Sequence, residues 1–158
     1  MNFTKSGEKM ELSEDYKDLF RILNKYKVKY LLIGAYAVIY YTEPRYTKDI
    51  DISVSADIKN AEKVYDALKK FGAPLKGIKP VDFTDKTMVY QIGVAPVRID
   101  ILPGIKAINF ESAWKKRKRI KFDDIPVNII DKKNLTKIKK ALKRPQDILD
   151  LEKLKSLK

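Results

Sequence analysis

Apolar and polar positions divide the chain into short helices and strands. Leu12, Tyr16, Leu19, Phe20 and Leu23 recur at helical spacing behind Ser13, a good N-cap, which predicts a helix to about Tyr26. Residues 1–10 lack such a pattern and read as a loose start. Tyr30 to Ile33 is an unbroken apolar run, expected as a buried strand. Gly34 then supplies a turn, and Ala35 to Tyr41 a short helix that ends before Glu43-Pro44, because the residue before proline avoids the helical region. Asp49 to Val54 alternates polar and apolar positions and predicts a second strand. Asp57 caps an amphipathic helix from Ile58 to Phe71, which Gly72 stops.

Further strands are expected at 81–83, 88–93 and 96–102, the last two joined by a turn at Gly93-Val94-Ala95-Pro96. A short helix follows at 110–118, with Trp114 as a packing anchor. A strand pair at 119–122 and 126–130 flanks Asp123-Asp124. Asp131 caps a helix over 132–142, and Pro145 opens the last one. This order predicts an α+β fold: a mixed central β-sheet flanked by helices, with a C-terminal helical pair. At 158 residues the chain is expected to be one domain. Residues 1–28 would form its N-terminal helix, 29–130 an α/β core and 131–158 the C-terminal helices.

The candidate chemistry lies in the strand Asp49-Ile50-Asp51-Ile52-Ser53-Val54. Side chains alternate along a strand, so Asp49 and Asp51 share a face while Ile50 and Ile52 turn to the core. Two carboxylates held side by side repel, and a hard cation such as Mg²⁺ relieves the repulsion. Gly34, between a strand and a helix start at Ala35, would aim free backbone N–H groups at one point. Together with Arg45 and Lys48, these features suggest a metal-bound polyphosphate. Arg45 has reach for a phosphate or for a structural carboxylate pair. In the last core strand, Arg98, Asp100 and Leu102 share a face. A carboxylate there is costly unless it is metal-bound or paired, with Arg98 or Arg45 as partners. Tyr36, Tyr40 and Tyr41 could stack on a base, but their helical spacing also fits core packing.

The ordered set Gly34-Ala35, Arg45-Tyr46-Thr47-Lys48-Asp49-Ile50-Asp51 and Asp100 resembles the nucleotidyltransferase superfamily that includes DNA polymerase β and the antibiotic nucleotidyltransferases. Within it, the lysine-rich helix and Arg144-Pro145-Gln146-Asp147-Ile148-Leu149-Asp150 resemble small prokaryotic nucleotidyltransferases related to abortive-infection toxins. The resemblance spans about residues 25–155. It implies the nucleotidyltransferase fold, with Asp49, Asp51 and Asp100 as catalytic residues and ligands of two Mg²⁺ ions, for which Mn²⁺ would substitute. It implies nucleotide and phosphate contacts from Gly34, Ala35, Arg45, Lys48 and Lys139. Ala35 stands where relatives commonly carry a second Gly or a Ser, so contact there would rest on backbone N–H groups. Asp147 would orient Lys139 or Arg144; a plain surface helix pair is the competing account. The implied activity is transfer of a nucleoside monophosphate from an NTP to a hydroxyl of a tRNA, a protein or a small molecule. Relatives also imply a cognate antitoxin, and a catalytically silent binding module stays open.

Composition narrows this chemistry. Cysteine and histidine are both absent, which excludes disulfides, thiolate zinc sites and histidine-based triads, and points to the cytoplasm. No apolar run reaches the length of a membrane span, and the N-terminus lacks a signal-peptide core. Of the net charge of +13, residues 111–158 carry +9. That excess suits a polyanion, or solvated faces of a lysine-rich chain. The run Lys115-Lys116-Arg117-Lys118-Arg119 is its densest part.

Overall fold

A computed structural model describes residues 2–5, 8–94 and 97–156, with side chains from residue 12 onward. Six strands form one mixed sheet, and six helices surround it among the described residues. The strands are β3 (Tyr30–Ile33), β4 (Asp49–Val54), β5 (Tyr90–Ile92), β6 (Arg98–Pro103), β7 (Lys118–Phe122) and β8 (Ile125–Ile129). Their spatial order is β5-β6-β4-β3-β8-β7. β4 runs antiparallel to β3 and parallel to β6, while β3 runs parallel to β8. β5 and β7 close the two edges in antiparallel pairs. The helices are α1 (Glu14–Lys25), α2 (Gly34–Tyr41), α3 (Ile58–Phe71), α4 (Phe110–Lys115), α5 (Lys132–Leu142) and α6 (Pro145–Ser156). The α+β fold class read from the pattern is therefore the observed one.

The predicted caps form. Ser13 Oγ accepts from the Tyr16 N–H, Asp57 from Lys59 and Asn60, and Asp131 from Asn134. Gly72 ends α3 in the left-handed region, which costs glycine nothing. α1 buries Tyr16, Leu19, Phe20 and Leu23 against β8 and α3. α2 is apolar on nearly every side because it lies between the sheet (β3 and β4) and the α5–α6 pair. The core is continuous, with Leu31, Leu32, Ile50, Ile52 and Ile101 fully buried at the centre of the sheet.

Four expectations change. Residues 2–5 and 8–11 are not a loose start but two strands, β1 (Asn2–Lys5) and β2 (Glu8–Glu11), paired antiparallel with Phe3 opposite Met10. Each strand is stabilised by the other, a term that neither segment shows alone. The strand expected at 81–83 is a 3₁₀ turn, Pro80–Thr84. Proline fixes its first position, and Asp82 accepts a hydrogen bond from the Lys79 N–H, closing it into a cap. The helix at 110–118 stops at Lys115, and β7 begins at Lys118. The strand at 88–93 shortens to Tyr90–Ile92, and in the turn after it Ala95 and Pro96 lie outside the described residues.

Asn60 ties the fold together at one end of the central strands. Its buried amide accepts from the Lys29 N–H at 2.8 Å and donates to the carbonyls of Lys29 and Ser55 at 3.1 and 2.9 Å. Lys29 immediately precedes β3 and Ser55 immediately follows β4, so one side chain from α3 fixes their relative ends. Asn60→Ala removes the side-chain partner of the Lys29 N–H and the Ser55 carbonyl, while the Lys29 carbonyl keeps its bond from the Ser55 N–H. It is expected to lower stability by about 2–3 kcal/mol, read as a reduced midpoint with unchanged slope in urea unfolding.

Candidate active site

The parallel register of β4 and β6 builds the site. Asp49 lies opposite Arg98, and Asp51 opposite Asp100. The side-chain period of two then places all four on one face, with Ile50, Ile52, Ile99 and Ile101 on the other, in the core. Single oxygens of Asp49, Asp51 and Asp100 come within 4.8 Å of one another. Arg98 grips Asp100 with both arms, Nε to Oδ1 at 3.1 Å and a terminal nitrogen to Oδ2 at 3.0 Å. The same guanidinium lies 3.7 Å from Asp49.

Burial and the crowding of like charge act together on Asp51. Burial, then the charges of Asp49 and Asp100, push its carboxyl up to about 7, against a smaller opposing pull from Lys139. Three hard oxygen donors that share such a penalty fit a divalent cation of the magnesium or manganese kind. The backbone is fitted to the same group. Gly34 adopts φ +69°, and a Cβ built there would stand 2.3 Å from Asp51 Oδ2. Glycine is thus required twice, by its dihedral and by the approach of the carboxylate. Ile33, the residue before it, is the register partner of Asp51, so the β3–α2 turn passes directly over the acids.

A cleft of about 610 Å³ opens on this face. Gly34, Asp51, Asp100, Arg98 and Lys139 line it. Leu102, Ile105, Leu135 and Ile138 supply apolar wall, and Lys86, Lys106 and Arg144 add cations. Lys139 is 6% exposed and sits between two buried carboxylates, Asp147 at 3.0 Å and Asp150 at 3.2 Å. Asp147 also accepts from the Arg144 side chain, the closest contact being 2.6 Å. Burial pushes the Asp147 carboxyl up, but hydrogen bonds from Arg144 and Lys139, with the Lys139 charge, outweigh it and hold the group at about 2. Asp150 accepts from Arg45 at 3.2 Å and from Gln146 at 2.8 Å.

The expected site residues therefore divide. Gly34, Asp51, Asp100 and Lys139 meet in the cleft, and Asp49 completes the acid cluster beside it. Arg45 instead spends its charge on Asp150 and is not among the cleft-lining residues. Ala35 and Lys48 also lie off the lining, with Lys48 exposed at the entry to β4. Tyr36 and Tyr41 are buried, Tyr36 edge-on to Tyr16 and Tyr41 donating to the Ile130 carbonyl, so they serve the core. In the basic run, Arg117 stacks 3.7 Å over Trp114 and Lys118 lies over the Tyr41 ring, both outside the cleft lining. Lys86 and Lys106 escaped the sequence reading because each is a lone lysine in a loop. Tyr16 did too: its hydroxyl donates to the Arg98 carbonyl at 3.0 Å and steadies the strand under the acids.

Two substitutions test this geometry. Gly34→Ala is expected to cost about 1–3 kcal/mol of stability from the positive φ, read by urea unfolding. It also displaces Asp51, so calorimetric Mg²⁺ binding should weaken. Asp150→Ala leaves Lys139 and Arg45 short of a buried partner. A loss of about 3–5 kcal/mol is expected in thermal unfolding.

No family model and no curated protein matches the chain. Among solved structures it is similar to the lincosamide antibiotic adenylyltransferase LnuA in its lincomycin-bound form, at 20% identity over 94% of this chain and 100% of that one, with a TM-score of 0.53. It is also similar to TM1012 of Thermotoga maritima, a candidate nucleotidyltransferase, at 12% identity over 89% of this chain and 90% of that one, with a TM-score of 0.59. The element order, the mixed sheet and these likenesses agree: the chain has the nucleotidyltransferase fold.

Proposed function

We propose that the protein is a metal-dependent nucleotidyltransferase that moves a nucleoside monophosphate from an NTP to an acceptor hydroxyl. The observation that carries this reading is the convergence of Asp49, Asp51 and Asp100 beneath the Gly34 turn, at the edge of a cleft lined by cations. Asp49, Asp51 and Asp100 would hold Mg²⁺, which when bound supplies charge neutralisation and a lowered hydroxyl pKa. In the transfer, the acceptor oxygen bonds to the α-phosphorus, the α–β phosphoanhydride bond breaks, and pyrophosphate leaves. The acceptor proton passes to a carboxylate of the cluster, with Asp100 the candidate base. Lys86, Lys106 and Arg144, which line the cleft, would supply positive charge for the polyphosphate, and the start of α2 at Gly34 lies on the same lining.

The acceptor is a hydroxyl of RNA, protein or a small molecule. The basic run at 115–119 does not line the cleft, so it lends no direct support to RNA. The apolar wall around Leu102, Ile105 and Ile138 suits a substrate with an apolar body, and the LnuA neighbour acts on an antibiotic of the lincosamide class. A toxin role with a cognate antitoxin belongs to the same enzymatic reading. A second reading, a catalytically silent nucleotidyltransferase-fold module that binds nucleic acid or a partner protein, draws on one observation: Arg98 already occupies both oxygens of Asp100.

Isothermal titration of each NTP with Mg²⁺ tests the proposal. Wild type should bind at least one NTP only when Mg²⁺ is present. Asp49→Ala/Asp51→Ala should lose that binding by about 100-fold or more, at least the upper end of what losing an outer-shell partner of a metal ligand costs. No NTP binding by wild type would favour the silent module.

A further inference from the structure

Arg98 is built into the acid cluster rather than beside it. It faces Asp49 across the parallel register and sits two residues from Asp100 on the same face. Its fork engages both Asp100 oxygens at 3.0–3.1 Å, and its third contact reaches Asp49 at 3.7 Å. The Tyr16 hydroxyl holds the Arg98 carbonyl at 3.0 Å, which fixes the base of the side chain. The guanidinium itself borders the cleft and is partly exposed, so it is free to change partners.

A bidentate guanidinium and a divalent cation compete for the same carboxylate oxygens. In this arrangement Arg98 engages both Asp100 oxygens and lies farther from Asp49, so Asp100 is the acid it neutralises most fully. We infer that Arg98 is a resident cation that withholds Asp100 from metal until a polyphosphate arrives. A phosphate oxygen in the cleft offers Arg98 a partner of equal geometry and greater charge. Arg98 then exchanges Asp100 for phosphate, and Asp100 becomes a ligand for a second ion. Loading of that ion is thereby conditional on substrate. The site avoids holding two divalent ions when no nucleotide is present, and Arg98 acts as a positioning residue through Asp100.

This inference rests on the nucleotidyl-transfer reading and is separable from it. Equilibrium dialysis with Mn²⁺ counts ions per chain. Wild type should take one ion with Mn²⁺ alone, and two with the α,β-methylene analogue of whichever NTP binds, after subtracting ions on free analogue. Arg98→Ala and Arg98→Gln should take two with Mn²⁺ alone, the first at least about tenfold tighter than in wild type, because a neighbouring positive charge is gone. If Arg98→Ala fails to fold, Arg98→Gln, which retains a hydrogen-bond donor to Asp100, decides. Two ions on wild type without nucleotide, or one on the folded variants, overturns the inference and leaves the transferase reading standing. No Mn²⁺ on wild type under either condition overturns both.

Discussion

Parallel pairing of β4 with β6 is the constraint on which the rest depends. It sets Asp49 against Arg98 and Asp51 against Asp100, so four charges tile one face of the sheet centre. The opposite face is Ile50, Ile52, Ile99 and Ile101, all buried. A slip of one residue in either strand would bring its isoleucines to the cleft and drive its charges into the core. The hydrophobic pattern therefore enforces the register that brings the acids together. Three carboxylates in so small a space are unfavourable on their own; burial, and after it the charges of Asp49 and Asp100, raise the Asp51 carboxyl. Arg98 offsets one of them through a geometry that metal also wants. The Arg98 pairing and any divalent cation would thus draw on the same oxygens.

The far wall of the cleft is held by a second charged cluster. Lys139, Asp147 and Asp150 are 6%, 1% and 0% exposed, and Arg45 and Arg144 attach from outside. Arg45 precedes β4, so Asp150 links the segment feeding the acids to the α5–α6 pair. Buried ion pairs of this kind add little net stability compared with apolar packing, because desolvation cancels most of the attraction. They do demand one arrangement, since any slip leaves a charge unpaired. A role in holding α6 at one angle to the acids accounts for charges where Leu and Ile would suffice.

The acids were legible in the sequence because a strand's period of two is local. Asp49 and Asp51 declare a shared face within three residues, and Asp100 declares itself by sitting inside an apolar strand. Helix caps at Ser13, Asp57 and Asp131 were legible for the same reason. What Arg45 does was not, because its partner lies 105 positions away. Either phosphate or carboxylate satisfies an arginine, and only the packing of α6 chooses. The β1–β2 pair was missed because two four-residue segments carry too little pattern to reveal mutual pairing. The 3₁₀ turn at Pro80–Thr84 was missed because Val81 and Phe83 alternate like a strand, and the tertiary position of Phe83 in the core overrides that reading.

The charge excess is placed differently from where composition directs attention. Part of the basic C-terminal third is spent internally: Lys139 and Arg144 on Asp147, Arg117 on the Trp114 ring. The cations that line the cleft arise from five separate segments, at Lys86, Arg98, Lys106, Lys139 and Arg144. Against them the lining offers two carboxylates, Asp51 and Asp100. Lys86 and Lys106 are exposed and make no ion pair among the described residues. A polyanion entering the cleft therefore meets positive charge first, at the rim, and the acids only at the base. That gradient favours a triphosphate reaching the cluster together with its own metal over a bare divalent ion reaching it alone. On the inference drawn above, the pairing of Arg98 with Asp100 and the rim lysines act in the same direction, so that loading of a second ion would follow substrate rather than precede it.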